Sequence, residues 1–200
     1  RVGEIWRSIP SHLARENKKF KYSDVRKGGR ASQFESAVEW LRNAGLILQS
    51  VNLTRPKLPL LGQLDAQRFK VYLLDCGLLG AMVDIPPRFA VDNGTIFSEY
   101  KGAFMENMVA SELARLSHGA LYYWISEGIA EVDFVMAQDQ EIVPLEVKSG
   151  LNRNIKSLRV YADKFKPRQI LRTSPRNFDQ IDDFINIPLY AIGNFSDYLR

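Results

Sequence analysis

Two apolar stretches near the middle of the chain, Phe134–Met136 and Ile142–Val147, carry charge at fixed places. Asp133 opens the first, and Glu146 and Lys148 close the second. Gln138-Asp139-Gln140 lies between them as a turn segment, so the pair predicts an antiparallel hairpin. Both stretches are apolar on at least one face, which makes them central strands. Charge on the remaining face of a central strand is costly to bury and is not expected to be idle. Side chains two residues apart on a strand share a face. Glu146 and Lys148 therefore project together, and Val147 points into the other layer. Upstream, Glu106 sits in a helical pattern flanked by Met105 and Met108.

An acid followed by an acid-x-lysine, each beside a turn, is a common build for a metal-dependent phosphodiesterase. Carboxylates hold a hard divalent cation through oxygen. The cation polarises the scissile phosphate and lowers the pKa of an attacking water. In this reading Glu106, Asp133 and Glu146 bind Mg²⁺ or Mn²⁺, and Lys148 orients the water or balances phosphate charge. The competing reading is a vestigial charged cluster, with Glu106 turned to solvent. Glu127 and Glu131 read as loop or solvent-face charges, and Glu112 as solvated.

The periodicity places these residues in an α/β chain, α+β overall. Residues 3–16 have apolar residues at helical spacing, with Pro10 as an interruption. Tyr22–Val25 reads as a short helix. Ser32 as N-cap with Glu35 three residues on opens a third helix, with Phe34, Ala37, Val38 and Leu41 on one face. Strands at 46–51 and 69–74 follow. Three helices and a hairpin give the order of a winged helix-turn-helix over residues 1–80. Residues 81–98, with Pro86, Pro87, Asp92, Asn93 and Gly94, read as a connector. Residues 99–200 then predict a helix (99–117), strands (121–126, 130–137, 141–148), a helix (154–166), a strand (168–173), a helix (178–184) and a strand (187–192). This αβββαβ order is that of a restriction-endonuclease-like core with a mixed central sheet.

Charge is unevenly placed. Residues 1–60 hold twelve Lys/Arg against five Asp/Glu, although the whole chain is only +4. A basic third suggests contact with a polyanion, and DNA is the expected one; ordinary solvated surface is the alternative. Arg30, Gln33 and Arg42 lie outside the apolar face of the third helix and are candidate base readers. Glu35 and Glu39 oppose phosphate contact, so docking on protein stays equally open. Lys156, Arg159 and Tyr161 form a second candidate nucleic-acid surface on the helix after Lys148. His12 and His118 have no partner at metal-ligand spacing and read as structural. Cys76 reads as a packed residue and, as the one cysteine, places the chain in a reducing, cytoplasmic compartment. No apolar run predicts a membrane span. The chain lacks a Gly-x-x-x-x-Gly-Lys-Ser/Thr loop, so ATP would bind only in an upstream domain of a longer protein. An oligomer is left open.

Four segments carry a family resemblance: Gly102–Leu113 (GAFMENMVASEL), Leu121–Trp124 (LYYW), Glu131–Val135 (EVDFV) and Pro144–Gly150 (PLEVKSG). From about residue 8 to about residue 173 the chain resembles the C-terminal domain, of unknown function (DUF4143), of bacterial and archaeal AAA-type ATP-binding proteins. The second half of that family is similar to PD-(D/E)XK nucleases. The resemblance implies that the nuclease motif falls on Glu106, Asp133, Glu146 and Lys148, and that the chain's own upstream ATPase domain is a partner. Two departures stand out. Val132 occupies the proline position before the acid. Ser157 occupies the glutamine position of a Gln-x-x-x-Tyr pair, with Tyr161 kept. They leave two functions open: a metal-dependent DNA endonuclease, or a catalytically inactive regulatory or protein-binding domain of the ATPase.

Overall fold

A computed structural model describes residues 1–15, 18–86, 95–127, 130–151 and 155–199. The chain opens with α1 (Val2–Leu13), α2 (Tyr22–Val25) and α3 (Ala31–Asn43), then the hairpin β1 (Ile47–Leu53) and β2 (Leu64–Leu73). The expected interruption at Pro10 does not occur, and Ile5, Ile9 and Leu13 bury one continuous face of α1. That burial offsets the backbone bond proline cannot donate. α3 buries Phe34, Ala37, Val38 and Leu41, as the spacing predicts. Burying side chains of the size of Phe34 and Leu41 is worth about 1.5–3 kcal/mol each. The start of α3 differs from expectation. Arg30, not Ser32, is the N-cap, and its N–H donates to the Gln33 side chain at 3.3 Å.

α4 (Cys76–Met82) follows, capped by Asp75, whose carboxylate accepts from Leu78 N–H at 2.8 Å. Residues 87–94 of the expected connector lie outside the described residues. The next helix, α5 (Thr95–Leu116), begins before residue 99. Then come β3 (Leu121–Ile125), β4 (Glu131–Val132), β5 (Phe134–Gln138), β6 (Glu141–Val147), α6 (Lys156–Phe165), β7 (Ile170–Ser174), β8 (Asp179–Ile181), β9 (Phe184–Pro188) and a 3₁₀ segment, Leu189–Tyr198. The turn between β5 and β6 is where the sequence put it. Asp139 and Gln140 both have positive φ, the conformation of a two-residue hairpin loop that matches strand twist.

Two expectations at the C-terminus fail. Residues 178–184 form no helix. β8 turns back through Asp182, at φ 53°, and pairs antiparallel with β9. The last strand spans 184–188, and 189–198 is 3₁₀. Phe178, Ile181 and Phe184 have helix-like spacing, but pairing with β9 prevails over local pattern.

Both sheets are mixed. The first has the order β2-β1-β3-β4 and the second β5-β6-β7-β9-β8. β1 pairs parallel with β3, with Ser50 opposite Leu121, so one sheet joins the N-terminal hairpin to the second half of the chain. The strand expected over 130–137 is divided at Asp133. β4 pairs with β3, and β5 pairs with β6. Asp133 thus stands where the chain passes from one sheet to the other. The main apolar cluster also runs through both halves, from Ile5 and Phe34 to Phe134 and Ile185.

Candidate functional site

β2 is apolar on one face through Phe69, Val71 and Leu73. The alternate residues Lys70 and Tyr72 share the other face, by the same two-residue rule that pairs Glu146 with Lys148. All five are buried, and Lys70 is 1% exposed. Beside β2 runs α5. Asn107 donates to Leu73 O at 3.0 Å and accepts from Leu73 N–H at 2.8 Å. This side chain takes the place of a strand neighbour at the edge of β2 and fixes α5 there. Its neighbour Glu106 is thereby buried against Tyr72, whose hydroxyl donates to Glu106 Oε2 at 3.3 Å.

Three carboxylates converge electrostatically, and each has a lysine. Lys18, between α1 and α2, pairs with Glu106 Oε1. Lys70 pairs with Glu131 and stands 3.7 Å from Asp133 Oδ1. Lys148 pairs with Glu146 Oε1. Asp133 Oδ2 accepts the Val147 N–H at 2.8 Å, which pins the sheet junction to β6. Burial, then the Glu106 carboxylate, pushes Asp133 up to about 7, against the pull of Lys70 and Lys18. Burial also raises Glu146, against its bond to Lys148. Burial opposes ionisation of Glu106 too, but Lys18 and Lys70 hold it below the usual range. Burial opposes the Lys70 ammonium, yet the surrounding Tyr72 and acids hold it firmly charged.

The donor set does not suit a divalent cation. Glu106 offers one oxygen to Lys18 and the other to Tyr72. Those of Asp133 face Lys70 and the Val147 N–H, and Glu146 Oε1 faces Lys148. Among the described residues, Glu146 Oε2 is the one carboxylate oxygen buried without a hydrogen-bond partner. Among the described residues, no group of three His, Cys, Asp or Glu side chains is placed to hold a metal.

Sequence reasoning missed Lys18, Lys70, Tyr72 and Asn107, and misread Glu131, which is paired with Lys70 rather than idle. Lys70 had a signal: one lysine inside the apolar run Phe69–Leu74. Lys18 had none, since its role depends on a contact across 88 residues.

The expected nucleic-acid residues scatter. Arg30 and Arg42 are exposed on α3, but Arg42 bonds Gln49 at 3.3 Å and Gln33 is engaged at the cap. Glu35, Glu39 and Arg42 line a groove of about 750 Å³ between α3 and the hairpin. Lys156 and Arg159 are exposed on α6, whereas Tyr161 is 1% exposed. It packs edge-on to Trp124 at 5.3 Å and beside Phe165 at 4.9 Å. Tyr161 is a core residue, buried because α6 lays its apolar face on β3 and β4, and it presents no surface to a phosphate. His12 is buried and stacked on Phe20, with its ring nitrogens at Ser8 O and Lys21 O. Cys76 Sγ lies 3.3 Å from Phe104 O, and burial raises its thiol to about 11.

The molecule is thus a mixed α+β protein of two mixed sheets with a buried acid–lysine pocket at their junction. Residues 101–192 match the family model of a domain of unknown function (DUF4143), the domain the sequence segments resemble. Residues 1–88 match the model of another domain of unknown function (DUF8612). The first match starts at Lys101, so the resemblance drawn from about residue 8 is shown for the second half alone. No curated protein and no solved structure matches the chain. Among the described residues, no helix is long and apolar enough to cross a membrane.

Proposed function

We propose that this chain is a nuclease-like module that works by binding rather than by metal-dependent hydrolysis, as a regulatory domain of an AAA-type ATPase. One observation carries the reading: Lys70, fully buried, supplies from β2 the positive charge that the carboxylates at the sheet junction require. Ammonium groups from the N-terminal half then stand where a nuclease would hold its cation. The shared first sheet supports the same view, because it ties the N-terminal helices and hairpin to that junction. Val132 and Ser157, the two departures from the nuclease pattern, agree with it.

Calorimetric titration of the full chain with Mg²⁺ and Mn²⁺ to millimolar levels tests the proposal, together with cleavage assays on linear, branched and single-stranded DNA. The expected result is no site-dependent heat and no cleavage. Metal binding and cleavage that both vanish in Asp133→Asn would overturn it in favour of a metal-dependent DNA endonuclease acting through Glu106, Asp133, Glu146 and Lys148. The buried, unpartnered Glu146 Oε2 is the observation on that side.

A further inference from the structure

We infer that the cleft formed by Arg176 and Phe178 binds a phosphate carried beside an aromatic base, the chemistry shared by a free nucleotide and a single nucleic-acid strand. The parallel strands β6, β7 and β9 end along one edge, with Val147 opposite Thr173 and Thr173 opposite Ile187. Open α/β sheets take ligands at the carboxyl ends of such strands. The loops after β6 and β7 meet there, where Arg176 Nη1 donates to Leu151 O at 3.3 Å. Between them opens a cleft of about 390 Å³, lined by Leu151, Pro175, Arg176, Asn177, Phe178 and Asp179.

Three features of the cleft point to a ligand. Phe178 is 48% exposed and stacks on the half-buried Tyr198 with ring centroids 5.5 Å apart, so the cleft carries an open aromatic ring backed by a second one. Every nucleobase has a π-face that can extend such a stack. Among the described residues the half-buried Arg176 pairs with no carboxylate; its Nε is buried without an acceptor, so the outer edge of the guanidinium is what it offers to the cleft. A guanidinium not neutralised by an acid suits phosphate. Asp179 accepts hydrogen bonds only, so it suits a base amino group at the other end of the ligand rather than the phosphate.

The third feature lies beneath the turn. Asn186 Oδ1 accepts from Arg172 Nε at 2.8 Å and from Ser174 Oγ at 2.7 Å. Asn186 Nδ2 donates to Asn177 O at 2.9 Å, and the Arg176 N–H donates to Ser174 Oγ at 3.3 Å. Arg172, Ser174 and Asn186 are all buried. A buried network of this kind fixes geometry, and Asn186 and Ser174 bond directly to the turn that presents Arg176 and Phe178. Binding residues held rigid by buried hydrogen bonds are the usual support of a recognition site. None of Glu106, Asp133 or Glu146 lines the cleft, so the inference stands whichever reading of the carboxylate pocket holds.

The test is equilibrium binding to the full chain at low salt. The probes are inorganic phosphate, adenosine, AMP, ATP and a fluorescein-labelled oligothymidylate of about ten nucleotides. The inference expects Arg176→Gln and Phe178→Ala each to weaken binding about tenfold or more, with the melting of Phe178→Ala close to that of the parent because the ring is 48% exposed. Tighter binding of the oligonucleotide than of AMP assigns the site to a strand; the reverse order assigns it to a free nucleotide. The inference is overturned if no probe binds by 1 mM, if both variants bind within about twofold of the parent, or if inorganic phosphate competes as well as AMP and Phe178→Ala has no effect.

Discussion

Two buried polar assemblies occupy neighbouring strands and follow opposite plans. At the Asp133 junction, carboxylates face ammonium groups brought from far along the chain; Lys18 and Glu106 are 88 residues apart. At Asn186, a buried guanidinium and a hydroxyl meet a neutral amide within 14 and 12 residues. In the first, each charge relies on another charge for its solvation, so stability depends on pH and on the docking of the N-terminal half. In the second, the acceptor has no proton to gain or lose, so its own bonds answer to hydrogen-bond geometry, while the Arg172 charge also favours the ionised form of Glu146 on the neighbouring strand. Sequence distance and charge type together decide how far each assembly can be read locally.

Removing Lys70 should produce the largest effect. Lys70→Met strands Glu131 and Asp133 beside a buried Glu106, and breaking one side of a buried pair costs about 3–5 kcal/mol. Urea denaturation at pH 7.5 measures it. Adding Asp133→Asn should recover part of the loss, because the two changes share one interaction. Strictly additive losses would mean that the lysine and the acid do not face each other.

Next in size is Asn186→Ala, which removes the acceptor shared by Arg172 and Ser174. Unsatisfied buried donors make the expected loss about 2–3 kcal/mol. The same loss should appear at pH 5.5 and at pH 8. A clear pH dependence would erase the distinction between the two assemblies.

The pH response of the parent sharpens the contrast further. Asp133 titrates at about 7 when folded, against an ordinary 3.8. The unfolded chain therefore gives up this proton first as pH rises. Stability from the protonated form is present below about pH 4 and is lost progressively up to about pH 7. Glu146, also raised, acts in the same direction. Glu106 is lowered, so its contribution is present above 4.5 and is lost as pH falls through its folded pKa. Thermal melts from pH 4 to 8 should peak near pH 5, and Asp133→Asn should flatten the decline toward pH 8 by on the order of 1–2 kcal/mol.

The smallest expected effect belongs to Tyr161→Phe. The ring keeps its packing against Trp124 and Phe165, so stability should change by less than about 1 kcal/mol. Affinity for DNA should not change, whereas a Lys156→Ala, Arg159→Ala pair should weaken it if α6 meets a backbone. A selective loss of DNA affinity in Tyr161→Phe would return that tyrosine to the surface.

Sequence alone determined the elements whose pattern repeats at short range. The apolar spacing of α3, the turn at Asp139-Gln140 and the shared face of Glu146 and Lys148 were all legible, because period and turn chemistry are properties of neighbouring residues. Residues 178–184 were misread because their apolar spacing fits a helix, while a partner strand fixes the outcome. The same limit hid the partners of the buried acids. The sequence presented three carboxylates and a lysine, which suit a metal. Tertiary structure added Lys18, Lys70 and Tyr72 from the other half of the chain and divided the strand at Asp133 between two sheets. A buried charge takes its meaning from the groups that replace its water, and only folding brought those groups to it.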